Sequence, residues 1–124
     1  MTSPYAELQL ARDGDIAILT LDNPARLNPI SATLQASLLR AIADVAADTS
    51  VRALVLTGTG RSFCAGAALA DVGGADWSEN PLTRLCDTLE AFPAPTIAGM
   101  NGGVYGGGVE LALACDFRVG VEGM

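Results

Sequence analysis

Gly106-Gly107-Gly108 and Glu110 are the residues of this chain best equipped for chemistry. They follow a short apolar run, Thr96 to Met100, and lead into an alanine- and leucine-rich stretch that reads as a helix. Glycines at a strand-to-helix turn let a ligand approach the backbone closely, and the first amides of a helix have no intrahelical acceptor. Such amides sit at the positive end of the helix dipole and can hold an oxygen that is gaining negative charge. Glu110, three residues after Gly107, falls in the first helical turn, which puts its carboxylate beside whatever those amides grip. That is the minimum equipment for proton chemistry next to a polarised carbonyl. The chain has no histidine, which removes Ser-His and Cys-His nucleophile pairs and the commonest transition-metal ligand. Any acid or base must then be a carboxylate. Cys64, Cys86 and Cys115 are odd in number and widely spaced, so they suggest neither a disulfide framework nor a zinc site, and read as reduced core thiols.

The elements that must position this turn are legible from periodicity and punctuation. Tyr5 to Arg12 and Ile16 to Leu21 read as two strands joined at Asp13-Gly14, a hairpin. Asn23-Pro24 ends it. Ser31 is a plausible N-cap for a helix that repeats Leu34, Leu38, Ala41, Ile42 and Val45 on one face. Ala53 to Leu56 is a continuous apolar run closed by Thr57-Gly-Thr-Gly60, the pattern of a parallel strand covered on both faces, and strand, helix, strand implies a right-handed crossover. Residues 67 to 72 read as a short helix ended by Gly73-Gly74, and 75 to 80, with Asp76, Trp77 and Glu79, as a solvated loop. Pro81 opens another helix with Leu82, Leu85 and Leu89 on one side. Strand 96–100, the glycine turn, a helix over 107–114 and a strand over 117–119 complete the order β-β-α-β-α-α-β-α-β, an α/β layer protein. Asp116 reads as a structural hydrogen-bonding residue between helix and strand, and Asp44 and Asp48 as an exposed helix face.

At 124 residues the chain is one domain, residues 1–124, with no internal linker. Lys plus Arg at 7 against Asp plus Glu at 14 gives 7 − 14 = −7, a charge that repels nucleic acid and acidic membrane surfaces. Neither a signal-peptide pattern nor an apolar run of membrane-spanning length is present, so the expected setting is soluble and cytoplasmic. Half of the residues are hydrophobic, which for so short a chain points to apolar surface meant for more protein.

Three segments in order give the chain a family likeness. Val51-Arg-Ala-Leu-Val-Leu-Thr-Gly-Thr-Gly-Arg-Ser-Phe-Cys-Ala-Gly-Ala67-Ala-Leu-Ala-Asp-Val72 and Pro95-Thr-Ile-Ala-Gly-Met-Asn-Gly-Gly-Val-Tyr-Gly-Gly-Gly-Val-Glu110-Leu-Ala-Leu-Ala-Cys-Asp-Phe-Arg118 resemble the crotonase superfamily, the enoyl-CoA hydratase/isomerase family. Leu21-Asp-Asn-Pro-Ala-Arg-Leu-Asn28 is similar to that family's early Pro-x-x-x-Asn element. The resemblance implies a crotonase-like spiral core of stacked ββα units, C-terminally incomplete here. It also implies a coenzyme A thioester as ligand, and an enolate held in an oxyanion hole made by the backbone amides of Ala67 and Gly107.

By the same resemblance Glu110 handles the water that adds across the double bond of a 2-enoyl-CoA, a task suited to a carboxylate in a dry pocket. Ala65, Ala67, Ala68 and Leu69 line the adenine and pantetheine channel together with Gly107, and Arg26 is a candidate for contact with a CoA phosphate. No cofactor beyond the CoA of the substrate and no metal are implied, and the expected assembly is a homo-oligomer, trimer or hexamer. The chain departs from the pattern at Ala68, where an aspartate is common, and at Ala94, where a lysine or arginine often stands. It also stops at Met124, before the segment that carries a second glutamate in hydratases. The alternative to a lyase or isomerase is therefore a non-catalytic CoA-binding or partner-binding remnant.

Overall fold

Leu8–Asp13 (β1) and Ile16–Leu21 (β2) pair antiparallel from Leu8 opposite Leu21 to Asp13 opposite Ile16. The two-residue turn between them is Gly14-Asp15, one residue later than the sequence reading placed it, because Gly14 takes the left-handed φ of +58° that a tight hairpin needs. The computed structural model describes residues 3–67 and 81–122. The short helix read over 67–72 and the loop over 75–80 lie outside the described residues, apart from Ala67.

Ala53–Gly58 (β4), Thr96–Met100 (β7) and Phe117–Gly120 (β9) extend the hairpin into a five-stranded sheet of order β1-β2-β4-β7-β9, parallel from β2 onward. Three shorter pieces, Ser62–Cys64 (β5), Gly66–Ala67 (β6) and Gly103–Val104 (β8), together with Pro29–Ile30 (β3), form two small parallel pairs, β3 with β6 and β5 with β8. The sequence reading missed all four, since pieces of two or three residues are too short to display a period.

Ala32–Ala46 (α1), Pro81–Glu90 (α2) and Gly107–Ala114 (α3) form the helical side. Ser31 caps α1 as expected: its Oγ accepts from the Leu34 amide at 3.0 Å and donates to Glu7 Oε2 at 2.5 Å. The apolar stripe Leu34, Leu38, Ala41, Ile42 and Val45 is buried, and so are Leu85 and Leu89 of α2. In the sheet, Leu8, Ala17, Leu19, Leu21, Leu54, Leu56 and Ala98 complete the same core. Each such leucine contributes about 1.5–3 kcal/mol by leaving water. Strand β4 differs from expectation in one respect. Its burial alternates, with Leu54 and Leu56 sealed and Ala53, Val55 and Thr57 half-exposed, so among the described residues it is covered on one face. Asp48 also falls beyond the end of α1, where it accepts from the Ser50 amide and hydroxyl instead of lying on a helix face.

Candidate active site

The β5–β6 segment and the β8–α3 segment, far apart in sequence, run side by side. Ser62 pairs with Gly103 and Cys64 with Val104, and the Tyr105 amide donates to the Cys64 carbonyl at 3.1 Å. The chain then turns into α3 through Gly106, whose φ of +51° and ψ of −120° suit glycine alone. At the same level on the other segment, Gly66 has φ +87°, and a Cβ there would stand 2.9 Å from the Tyr105 carbonyl oxygen and 3.4 Å from the Gly107 nitrogen. The α-carbon of Gly66 is therefore seated against the opening of α3. Gly108 is required for a different reason, since a Cβ would meet the Cys64 carbonyl at 2.8 Å and its Cβ at 2.9 Å. The structure thus brings the Gly66–Ala67 strand against the opening of α3.

The hydrogen bonds of the turn leave a donor over. Gly108 donates to the Tyr105 carbonyl at 2.8 Å and Val109 to that of Gly106 at 3.0 Å, whereas the Gly107 amide has no acceptor among the described residues. Ala67 is the last residue of β6, opposite Ile30 of β3, one peptide from the glycine that touches Gly107. Ala65 is half-buried and its amide is tied to the Asn28 carbonyl at 3.3 Å. Ala68 and Leu69, the remaining channel residues, lie outside the described residues. Arg26 ends a 3-10 turn at Pro24–Arg26; it is exposed and makes no hydrogen bond or ion pair through its side chain to another described residue. It stands three residues before Pro29, the partner of Gly66 in the β3–β6 pair.

Glu110 is in the first turn of α3, as read from the sequence, but it is exposed. The described residues therefore do not close a dry pocket around its carboxylate. Its charge is felt by Cys86 of α2, whose thiol is pushed up to about 11 by burial first and by Glu110 next. Burial also pushes the Cys64 and Cys115 thiols up to about 11, which keeps them protonated and in the role of core packing. Asp116 is structural as expected: the Thr96 amide donates to its carboxylate at 2.9 Å while its own amide donates to Thr96 Oγ1 at 2.9 Å. The sequence reading named Asn28 only as the end of a family-like element and gave no part to Asn101, although both hold the backbone of residues 58–62. No group of three or more cysteine, aspartate or glutamate side chains among the described residues is arranged to hold a metal, and no described helix is long and apolar enough to cross a membrane.

The family model described as enoyl-CoA hydratase/isomerase matches residues 11–122, and the chain belongs to that family. It is 42% identical over 114 residues to a putative enoyl-CoA hydratase of Thermus thermophilus, covering 86% of this chain and 45% of that protein. It is 37% identical over 120 residues to the 2,3-dehydroadipyl-CoA hydratase of Escherichia coli, covering 94% of this chain and 47% of that one. The crystal structure of an enoyl-CoA hydratase from Bacillus anthracis superposes with a TM-score of 0.85 at 29% identity, over 92% of this chain and 47% of the other. The crotonase-type fold expected from the sequence is thus borne out, and the chain spans about half the length of the relatives it matches.

Proposed function

We propose that this chain carries the oxyanion side of an enoyl-CoA hydratase/isomerase-type site and acts on a coenzyme A thioester, most simply by hydrating a 2-enoyl-CoA. The observation that supports this best is the seating of Gly66 against the nitrogen of Gly107. A thioester carbonyl entering between the two segments takes hydrogen bonds from the amides of Ala67 and Gly107. As the β-carbon is attacked, negative charge moves onto that oxygen. Each preorganised donor aimed there contributes about 3 kcal/mol. Small residues at 67 and 107 matter because they let the thioester reach the backbone.

Glu110 orients and deprotonates the water that adds to the β-carbon, and a proton delivered to the α-carbon completes hydration. The acid that shares this work, and the wall that dries the Glu110 carboxylate, are supplied by protein outside the described residues. Arg26, exposed near the β3–β6 pair, meets a phosphate of the CoA. The reaction needs no cofactor beyond the CoA of its substrate, and the working form is a cytoplasmic homo-oligomer.

Loss of the enoyl absorbance of a short trans-2-enoyl-CoA tests this reading, with Glu110→Gln as the control. Turnover that disappears in Glu110→Gln, with the fold intact by circular dichroism, is the expected result. Equal turnover in both proteins would remove Glu110 from the mechanism, and no turnover by mass-verified wild-type protein would overturn the hydratase reading for this chain.

A further inference from the structure

Two asparagines hold a single loop, residues 58–62, from opposite sides. Asn28 is buried and adopts a φ of +56°, a left-handed conformation that its own side-chain bonds hold in place. Its Nδ2 donates to the carbonyls of Thr59 at 2.9 Å and Ser62 at 3.0 Å. Its Oδ1 accepts from the Asn23 amide at 2.8 Å and Thr59 Oγ1 at 3.3 Å. Asn101 follows β7 directly. Its Oδ1 accepts from the Gly58 amide at 3.0 Å, and its Nδ2 donates to the carbonyls of Gly60 at 3.0 Å and Ser62 at 3.1 Å. The Ser62 carbonyl is thus gripped from both sides.

Neither side chain is replaceable by a simpler one. Each must present donors to carbonyls and an acceptor to an amide at once, which only a carboxamide does. The surroundings leave no slack: a Cβ at Gly58 would meet the Phe63 carbonyl at 2.6 Å, and one at Gly102 would run into the Arg61 carbonyl. The gripped loop continues directly into β5 and β6, which end at Ala67, while Asn101 sits on the run that leads through β8 to Gly107. Asn101 therefore ties the segment of one oxyanion donor to the segment of the other, and Asn28 ties the first of these to the β3 side.

We propose that Asn28 and Asn101 are positioning residues, a pair of amide clamps that set where the Ala67 amide stands relative to the Gly107 amide. The geometric part stands on the hydrogen bonds alone, and its consequence for ligands rests on the thioester reading above. Donors must be held to within about half an ångström of productive geometry, so loosening the loop is felt at the hole rather than spread over the fold.

The test is Asn101→Asp and Asn28→Asp, which keep size and acceptor oxygens but lose the donors. The readouts are residue-resolved amide hydrogen exchange and the affinities of free CoA and a saturated short-chain acyl-CoA. Exchange over 62–67 should accelerate by about tenfold while the Leu19 and Leu56 amides hold their rates. Affinity for the acyl-CoA, which has a carbonyl, should fall about tenfold, with free CoA within about twofold. Unchanged relative exchange over 62–67 in both variants would overturn the proposal, as would equal losses for the two ligands. If wild-type protein binds neither ligand, the thioester reading fails by itself and the exchange data alone decide on the clamps. If Asn28→Asp does not fold, Asn101→Asp and Asn101→Ala, at a half-buried position, carry the same comparison.

Discussion

The middle of the sheet and its β9 rim are built from the same kinds of residue and end up in opposite conditions. Leu19 and Leu21 of β2 and Leu54 and Leu56 of β4 are sealed beneath the helices, whereas Phe117 and Val119 of β9 are each 61% exposed and Leu113 of α3 is 63% exposed. The contrast reaches the site itself. Backbone around Gly66 and Gly107 is held by the pairs β3–β6 and β5–β8, whereas Glu110 of α3 is exposed. An oxyanion hole needs only backbone held in register, which short strand pairs and close-packed glycines provide locally. A general base needs a dry surrounding, and that takes layers of protein which the described residues do not supply. Large apolar side chains on a rim are a surface for further protein to cover.

Substitutions can break or sharpen this contrast. The largest effect is expected from Gly66→Ala, where a left-handed φ and a contact at 2.9 Å combine. Thermal and denaturant unfolding should register a loss of roughly 3 kcal/mol or more, and acyl-CoA binding should vanish. Leu56→Ala, in the sealed middle, should lower stability by about 2–5 kcal/mol in the same experiment.

The buried thiols give a pH signature of the sealed region. The folded values of Cys64 and Cys115 near 11 lie above the ordinary 9.0, so the unfolded chain gives up these protons first as pH rises. Their contribution to stability should be level below pH 9 and decline from there to about 11, with alkylation of Cys64 and Cys115 at about pH 8 slow until denaturant is added. Ser31→Ala, which removes the α1 cap, should lower stability by about 1 kcal/mol. Val119→Thr, on the open rim, should change stability by no more than about 0.5 kcal/mol. A large loss there would mean that the rim is covered in solution.

Elements with strong punctuation are legible in the amino-acid sequence itself. Strand 96–100 is bounded by Pro95 and Asn101, helix 107–114 is opened by the glycines, and Pro81 starts α2, all where that punctuation puts them. The placement of Glu110 in the first turn of α3 is also legible, from the glycines that open the helix, whereas the roles given to residues 67, 107 and 110 come from the family likeness. The short pairs β3–β6 and β5–β8 escape because two or three residues carry no period, although they seat Gly66 against the opening of α3. The amide clamps escape because an asparagine in a loop looks alike whether it faces water or holds buried carbonyls. The exposure of Glu110 escapes because drying is a property of what packs over a helix, not of the helix.

The central claim is that the amides of Ala67 and Gly107 grip a thioester carbonyl. Isotope-edited infrared difference spectroscopy of bound acyl-CoA carrying a labelled thioester carbonyl tests it most directly. A carbonyl stretch shifted to lower frequency on binding, with the shift reduced in Asn101→Asp, is the predicted result. A stretch that stays at its solution frequency in protein that demonstrably holds the ligand would contradict the account.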